Sequence, residues 1–199
     1  MNSTHPMLVL PLGTSRLVLR DFRASDFDAV FAYAGDPELT RFMFYEPRDA
    51  ADTRRYLQRM LGTQAEVPRM TWEVAVERAE DGRVIGACDL TMENPRDADL
   101  GFVLARDVWK QGYATEIARA LIDAGFEQLR LQRIFGICDI HNGASARVLE
   151  KAGMKREATV YGFRKAKGRT WDMHHYEITR EEWRKKKRKG MWKGVGGSE

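Results

Sequence analysis

The stretch Val108-Trp109-Lys110-Gln111-Gly112-Tyr113-Ala114-Thr115-Glu116 decides the fold of this 199-residue chain. It follows an apolar run at 100–104, which predicts a strand, and it opens a helical pattern over 114–129. A strand, a short glycine loop and a helix start form a phosphate-binding geometry, because the first N–H groups of the helix point at the ligand. Taken alone, the loop is also compatible with an ordinary turn glycine.

The order of the predicted elements indicates an α/β (α+β) domain in which helices flank a mixed, mainly antiparallel, twisted sheet. Strands at 98–104 and 133–140 enclose the helix at 114–129 as a βαβ-like unit, so these two strands should be parallel. A capping box that starts at Ser25 is expected to begin a helix through Ala34. The other predicted strands span 16–20, 71–78, 83–92, 154–161 and 170–179, and the other predicted helices span 36–39, 49–61 and 144–152.

The composition is typical of a globular domain, with 43% hydrophobic and 31% charged residues. No apolar run approaches the roughly 20 residues of a membrane helix. The first residues lack the pattern of a signal peptide, so we expect a cytoplasmic protein. Cys88 and Cys138 lie in apolar runs and should be buried. No metal site is expected, because the sequence contains no Cys-x-x-Cys, no His-x-x-x-His and no carboxylate cluster.

The net charge of +4 is unevenly placed along the chain. Seven cations follow Trp183 against one acid, Glu199, and the other 26 cations and 28 acids leave residues 1–182 at −2. This basic and aromatic end suits a phosphate backbone, including ribosomal RNA. The alternative is a solvated, partly helical end without a partner.

A second motif runs from His141 to Met154, with the sequence His-Asn-Gly-Ala-Ser-Ala-Arg-Val-Leu-Glu-Lys-Ala-Gly-Met. Asn142 follows a predicted strand, and Ser145 begins the next predicted helix. One interpretation is that Asn142 is merely an N-cap and Ser145 a first-turn residue. The other is that both side chains face a ligand lying between the two neighbouring helix starts.

Together the two motifs resemble the GNAT superfamily of acyl-CoA-dependent N-acetyltransferases, and specifically its RimJ/RimL branch. Residues 109–116 resemble the Trp-Gly-x-Gly-Tyr-Ala-Thr-Glu pyrophosphate loop of that branch, and residues 142–154 resemble its Asn-x-x-Ser-x-x-Val-Leu-x-Lys-x-Gly-Phe segment. Residues 14–20 resemble its opening strand and residues 83–86 its central hairpin.

The resemblance covers about residues 14–180, which we expect to form one N-acetyltransferase domain, followed by a basic C-terminal tail at 181–199. Two positions depart from the family pattern. Lys110 stands where the branch often has glycine, so that it either adds a phosphate contact or crowds the loop. Leu149 stands where many GNAT enzymes carry the tyrosine that protonates the leaving thiolate.

The resemblance implies that acetyl-CoA is the co-substrate and enters where the two parallel strands part. It implies that Ser145 is the proton donor to the CoA sulfur and that Asn142 binds the pantetheine arm. The family often has an acid at the position of Asp99, which is therefore the first candidate for the base; the alternative is a solvated acid at a strand end. A backbone N–H of the strand at 98–104 would polarise the thioester carbonyl. The weaker candidates for the base are Glu73, Asp89 and Glu157. The residues implied to bind the co-substrate are Phe102, Val103, Leu104, Trp109, Lys110, Gln111, Gly112, Tyr113, Ala114, Thr115, Asn142, Ser145 and Arg147.

The acceptor wall is expected in variable loops, here about 42–49 and 159–170. Phe42, Phe44 and Tyr45 would line it unless they pack in the core. His174 and His175 are adjacent on a predicted strand, so only one could face the site, and we expect them to be packing and surface residues.

We therefore expect an enzyme that transfers an acetyl group from acetyl-CoA to a primary amine, as a monomer or homodimer without a membrane partner. By analogy with the branch, the acceptor is a protein N-terminal amine, and the basic tail contacts the ribosome or RNA. A small-molecule amine, amino acid or antibiotic is the alternative acceptor. A non-catalytic CoA-binding or RNA-binding module also stays open, because of Lys110 and the missing tyrosine.

Overall fold

The computed structural model describes residues 7–192 and residue 194, and within them one sheet contains eight strands. The spatial order of the strands is β1-β2-β3-β4-β5-β6-β8-β7. In chain order the strands are β1 (Leu12–Gly13), β2 (Leu17–Arg20), β3 (Thr71–Arg78), β4 (Val84–Asn94), β5 (Asp97–Leu104), β6 (Arg133–Asp139), β7 (Lys155–Ala166) and β8 (Arg169–Thr179). The helices are α1 (Phe27–Ala34), α2 (Pro37–Thr40), α3 (Ala50–Thr63), α4 (Tyr113–Glu127), α5 (Gly143–Lys151) and α6 (Arg180–Arg188).

β5 and β6 are parallel, and every other neighbouring pair in the described sheet is antiparallel. The parallel pairing is short, because it joins Asp97 with Arg133 and ends where Asp99 meets Phe135. Beyond this point β5 continues for five residues beside β4 alone. The predicted mixed sheet with a parallel central pair that splays apart is therefore confirmed.

The two faces of the sheet carry separate hydrophobic clusters. On one face, Trp72, Val74 and Val76 of β3 are buried in a cluster that also contains Ile117 and Leu121 of α4. On the other face, the smaller side chains of Ala75 and Ala87 meet a cluster built by α1 and α3. The strict alternation along β3 sends successive side chains to opposite faces, so both layers of helices can be held by the same strands.

The start of the first helix differs from the prediction, because Ser25 does not head a capping box. The Asp26 carboxylate accepts two hydrogen bonds of 2.9 Å from the guanidinium of Arg20 and one from the backbone N–H of Arg23. This buried, bidentate pair fixes a short 3₁₀ turn over Ala24–Asp26, and α1 begins only at Phe27.

The segment predicted as a variable loop at 159–170 is also different. Most of it belongs to the long hairpin of β7 and β8, which turns tightly at Lys167 and Gly168, both with positive φ. The pairing continues through a register shift between Val160 and Arg164, which the strand pattern in the sequence did not indicate. The Lys167 ammonium then reaches the carbonyl of Thr40 at 3.0 Å and ties the hairpin to the end of α2.

The predicted basic tail begins as α6, which packs against the body of the domain. Thr179 and Glu182 form a capping box at its start, and Trp183 is buried. The indole N–H groups of Trp183 and Trp192 both donate to Oδ1 of Asp123 on α4, at 2.7 and 2.8 Å. Both tryptophans are therefore engaged with the domain, and the ribosome or RNA contact stays a prediction. Residues 193 and 195–199 of the tail lie outside the described residues.

Candidate active site

The loop before α4 has the backbone conformation of a phosphate-binding turn. Gly112 is the N-cap of α4 and adopts the left-handed conformation, with φ of 85°. Lys110 also lies in the left-handed region, with φ of 62°, where a side chain is disfavoured. The lysine therefore keeps the conformation that a glycine would adopt, and it is exposed.

The same loop is held in place from the opening strand. Glu116, in the first turn of α4, accepts hydrogen bonds from the hydroxyls of Thr14 and Ser15 and from the backbone N–H and guanidinium of Arg16. The Arg16 guanidinium also donates to the carbonyl of Gln111 at 3.0 Å. Although burial acts to raise it, the pKa of Glu116 is lowered by these hydrogen bonds. The loop is thus fixed by charge-assisted contacts from residues 14–16, just before β2. These contacts leave the first N–H groups of α4 available to a ligand.

A cavity of about 470 Å³ lies between the starts of α4 and α5, and we call it the helix-end cavity. Two helix N-termini open onto it, so its polar wall favours an anion such as a pyrophosphate. It is lined by Glu38, Leu39, Phe42, Met43, Phe102, Val103, Leu104, Val108, Trp109, Lys110, Gly112, Tyr113, Ala114, Thr115, Asn142, Ala144, Ser145, Arg147, Val148 and Lys151.

A second cavity of about 250 Å³ lies against the α1–α3 face of the sheet, and we call it the sheet cavity. Strands β3, β4 and β5 form its floor, and the segment at 42–48 covers it. Six residues line both cavities, which therefore meet at one place. They are Phe42, Met43, Phe102, Val103, Asn142 and Ser145.

Backbone donors also face this junction. The N–H of Ala105 donates to Ile85 on β4, so the amides of Leu104 and Phe102 point to the opposite side by strand alternation. On that side these two amides of β5 have no strand to pair with, because the pairing of β5 with β6 ends at Asp99. The Leu104 carbonyl is taken by the indole of Trp109 at 2.7 Å, which braces the loop against β5.

A family model described as an acetyltransferase (GNAT) domain matches residues 16–155, which is more than half of the chain. The protein is a GNAT acetyltransferase. It is 32% identical over 176 residues to an uncharacterised N-acetyltransferase, p20, of Bacillus licheniformis, covering 86% of this chain and 97% of the relative.

Solved structures agree with this assignment. A GNAT-family acetyltransferase from Bacillus anthracis superposes with a TM-score of 0.77 at 25% identity, over 85% of this chain and 98% of that one. A putative ribosomal-protein-serine acetyltransferase from Vibrio cholerae has the same fold, with a TM-score of 0.73 at 20% identity over 86% and 98% of the two chains. The comparisons thus confirm three predictions: the enzyme class, the GNAT fold and acetyl-CoA as the acetyl donor.

In this GNAT enzyme most residues predicted to hold acetyl-CoA come together. All of them line the helix-end cavity except Gln111, whose side chain turns back to the carbonyl of Asp107 at 3.2 Å. Asn142 is indeed the N-cap of α5, since its Oδ1 accepts from the N–H of Ser145 at 3.1 Å. The N-cap interpretation of Asn142 therefore holds, and both residues also line the junction of the two cavities. Their roles in binding and catalysis stay predictions.

Asp99 does not line either cavity. It lies on the same face of β5 as Gly101 and Val103, but further toward the closed end of the parallel pair, beside Phe135. Its Oδ1 is buried and has no hydrogen-bond partner among the described residues, and burial raises the pKa of its carboxyl to about 7. Asp99 as the base therefore stays a prediction that the cavity lining does not favour.

Among the described residues three carboxylates line the sheet cavity, and two of them are already engaged. Glu73 accepts the hydroxyl of Tyr56. Asp139 pairs with Arg169 at 3.1 Å and accepts the N–H of His141. Asp89 has only the hydroxyl of Thr91 at 3.5 Å, so it is the carboxylate left free for a ligand.

Asp89 occupies its place because of Gly101. A β-carbon at residue 101 would lie 2.2 Å from Oδ1 of Asp89, so only glycine leaves room for this carboxylate. Burial, together with the charges of Asp99 and Glu73, raises the pKa of Asp89 to about 8. The sequence did rank Asp89 among the weaker candidates, and the usable signal was a single acid inside the apolar run Ala87-Cys88-Asp89-Leu90.

The remaining predictions concern aromatic residues, histidines, cysteines, metal ligands and membrane helices. Phe42, Phe44 and Tyr45 do line the sheet cavity, as the acceptor-wall hypothesis expected. His174 contacts Thr159 at 2.9 Å, and His175 packs edge-on against Phe163, so neither lines a cavity. Cys88 and Cys138 are buried. The described part of the chain contains neither a group of three potential metal ligands nor a helix long and apolar enough to cross a membrane.

Proposed function

We propose that this enzyme acetylates a small primary amine bound in the sheet cavity, with Asp89 as the base and Ser145 as the acid. The observation that carries the proposal is the junction of the two cavities, where Ser145 borders both and Asp89 lies on the sheet side. The helix-end cavity fits the pyrophosphate and pantetheine of acetyl-CoA, because two helix starts and an apolar wall line it.

The chemistry follows from the positions of these groups. The carboxylate of Asp89, with a pKa near that of a weakly basic amine, takes a proton from the bound ammonium. The neutral amine attacks the thioester carbon while the free amides of Phe102 and Leu104 support the developing oxyanion. The carbon–sulfur bond breaks, and the hydroxyl of Ser145 supplies a proton to the sulfur. The amine nitrogen passes its second proton through a water to Ser145, which restores the hydroxyl, and Asp89 releases the first proton to solvent, so the products are the acetamide and CoA.

A small acceptor is favoured over a protein N-terminus by the cover of the sheet cavity. Phe44 packs edge-on against Trp171 with ring centroids 5.1 Å apart and stacks on Phe163 at 6.4 Å. Lys167 joins the hairpin to Thr40 on the other side. A polypeptide would need an open groove here, and the segment at 42–48 instead bridges α2 and the β7–β8 hairpin.

The test is an acceptor screen with acetyl-CoA, read by mass spectrometry of the acetylated products and by release of the CoA thiol. The panel contains polyamines, amino acids, aminoglycosides and peptides with free N-termini. We expect turnover of a small amine that falls about 100-fold in Asp89→Asn, a typical loss for a missing general base. Asp99→Asn is the comparison variant: Asp99 lies outside the cavity lining, but its charge helps to raise the pKa of Asp89, so the pH–rate profile should move to lower pH while at least about half of the activity above pH 8 is retained.

Peptides as the sole acceptors would reject the small-amine proposal while leaving the acetyltransferase intact. Equal losses in the two aspartate variants would reject Asp89 as the base.

A further inference from the structure

We propose that the acceptor also carries a carboxylate, which Arg48 and Tyr33 bind at the far side of the sheet cavity. This inference rests on the proposed function, because it names the substrate class of the same site. It comes from two polar groups in the cavity wall that the acetyl-transfer chemistry does not use.

The first group is the guanidinium of Arg48, which lines the sheet cavity. Its central carbon lies 3.9 Å from the ring centroid of Tyr56 and 4.4 Å from that of Tyr45. Among residues 7–192 and 194, no carboxylate lies within ion-pair distance of it and no acceptor takes its side-chain N–H groups. A guanidinium whose faces rest on aromatic rings keeps its edge donors free, and that edge matches a carboxylate with two parallel hydrogen bonds.

The second group is the hydroxyl of Tyr33, which also belongs to a residue of the cavity wall. Tyr33 is 3% exposed, and its hydroxyl has no hydrogen-bond partner among the described residues. Leaving a buried hydroxyl unpaired is unfavourable, so an acceptor atom supplied by a ligand would stabilise it. A carboxylate held by Arg48 supplies such an atom.

The cavity therefore has two different polar ends. Asp89 lies on the strand floor beside Gly101, next to the junction with the helix-end cavity. Arg48 and Tyr33 belong to the cover and to α1. A ligand with an ammonium at one end and a carboxylate at the other satisfies both ends at once. An amine without an anion would leave the guanidinium facing a desolvated space, which is unfavourable for a charge.

Glu73 does not neutralise Arg48 in this arrangement. Its carboxylate accepts the hydroxyl of Tyr56, so Tyr56 separates the acid from the guanidinium that rests on its ring. Burial, with the negative charge of Glu73, raises the pKa of Tyr56 well above its usual value, which keeps the hydroxyl protonated as a donor. The Tyr56–Glu73 pair thereby positions Arg48 and leaves its charge available.

The experiment compares amines that differ only in the anion. Protein amino acids, β-alanine and γ-aminobutyrate are each paired with their own amides, and kcat/KM is measured with saturating acetyl-CoA. We expect the best free acid to exceed its amide by about 30-fold, the size of a charge-assisted bidentate contact. In Arg48→Met this preference should fall below about 3-fold, and Arg48→Lys should recover part of it.

Two further variants keep the test decisive. Tyr33→Phe removes only the hydroxyl and should lower the acid-to-amide ratio of kcat/KM about 3- to 10-fold. Arg54→Met is the matched control, because Arg54 also lies over an aromatic ring, Phe27, at 5.1 Å but outside the cavity. It should keep the full preference.

An acid-to-amide ratio near one in the unmodified enzyme, or better turnover of amides and peptides, would overturn this inference and leave the acetylation of a primary amine standing. The same ratio in Arg48→Met as in the unmodified enzyme would also overturn it. If no amine of either series is acetylated while polyamines are, the carboxylate is rejected and the proposed function stands. If no amine at all is acetylated, both fail.

Discussion

The helix-end cavity and the sheet cavity share six wall residues but are built in opposite ways. The helix-end cavity uses backbone N–H groups at the starts of α4 and α5, and its wall comes largely from two continuous motifs at 109–115 and 142–151. The sheet cavity uses side chains from β3, β4, β5, β6 and β8 and the covering segment at 42–48.

This contrast separates the part of the site that suits the co-substrate from the part that would select the acceptor. A pyrophosphate is recognised by main-chain geometry, which a short motif can specify on its own. In the proposed function, the acceptor is recognised by side chains that meet only because strands pair in a particular register, as Glu73, Asp89 and Gly101 do across β3, β4 and β5. Variants on the two sides should therefore affect different kinetic constants.

The largest expected effect is on the sheet side, at Gly101. Gly101→Ala places a β-carbon against Oδ1 of Asp89 and should displace the carboxylate. We expect kcat/KM for the acceptor to fall about 100-fold, as for loss of a general base, with the Kd of acetyl-CoA within about 2-fold of its original value. Calorimetric titration and steady-state kinetics measure the two quantities. Gly62→Ala, in open space on α3, is the control. Weakened acetyl-CoA binding in Gly101→Ala would remove the separation between the two sides.

Ser145 lies at the junction and should affect catalysis without affecting either binding step. Ser145→Ala keeps the backbone N–H that donates to Asn142, so the start of α5 is preserved. Loss of the proton donor should lower kcat about 10- to 100-fold. Single-turnover kinetics at saturating acetyl-CoA would measure this step. An unchanged kcat would show that water or another group protonates the thiolate.

Gly112 tests the helix-end side. A side chain at φ of 85° costs about 1–2 kcal/mol, so Gly112→Ala should distort the loop and weaken acetyl-CoA binding about 10-fold. The acceptor KM should stay unchanged. Lys110→Gly is the reverse substitution, because it removes a side chain from the left-handed region instead of adding one. If Lys110→Gly also weakens binding about 10-fold, the lysine contacts phosphate directly, and salt dependence of the Kd would confirm this.

The smallest expected effect is on stability, and it depends on pH. Asp89 has a folded pKa of about 8, above the value of an unfolded aspartate, so the folded state binds the proton more tightly. The contribution of Asp89 to stability is therefore present at low pH and is lost as the pH rises through the window that ends near 8.

Asp89→Asn removes the cost of holding a charged carboxylate in the buried site, so at pH 8.5 it should melt at a higher temperature than the unmodified enzyme. The difference should be about 2–4 °C for each kcal/mol gained in the free energy of unfolding, and it should be smaller at pH 5. Differential scanning calorimetry at the two pH values measures it. A lower melting temperature at pH 8.5 would mean that the carboxylate makes a stabilising contact in its charged form.

Much of the fold could be predicted from local patterns. Three of these patterns depend only on nearby residues in the chain. They are the Asp81-Gly82 turn, the alternation of Trp72, Val74 and Val76 in β3, and the proline after Asp36 at the start of α2. The false start at Ser25 arose because the first turn is headed by Arg23, whose backbone N–H donates to Asp26 three residues on, and Asp26 is fixed there by Arg20. A local capping motif cannot reveal that a buried ion pair with a strand residue selects a different acid and so moves the start of the turn.

The sequence by itself determined the parallel strand pair, through the spacing of local patterns, and the GNAT fold, through the family resemblance of two continuous motifs. The same motifs predict the loop for the acetyl-CoA pyrophosphate. The tertiary structure alone decided that Asp89, not Asp99, faces the sheet cavity and that Arg48 and Tyr33 lie in its wall. Those positions depend on where β5 leaves β6 and on how the segment at 42–48 crosses the sheet. Such contacts join residues far apart in the chain, and no local pattern of amino acids encodes which of them meet.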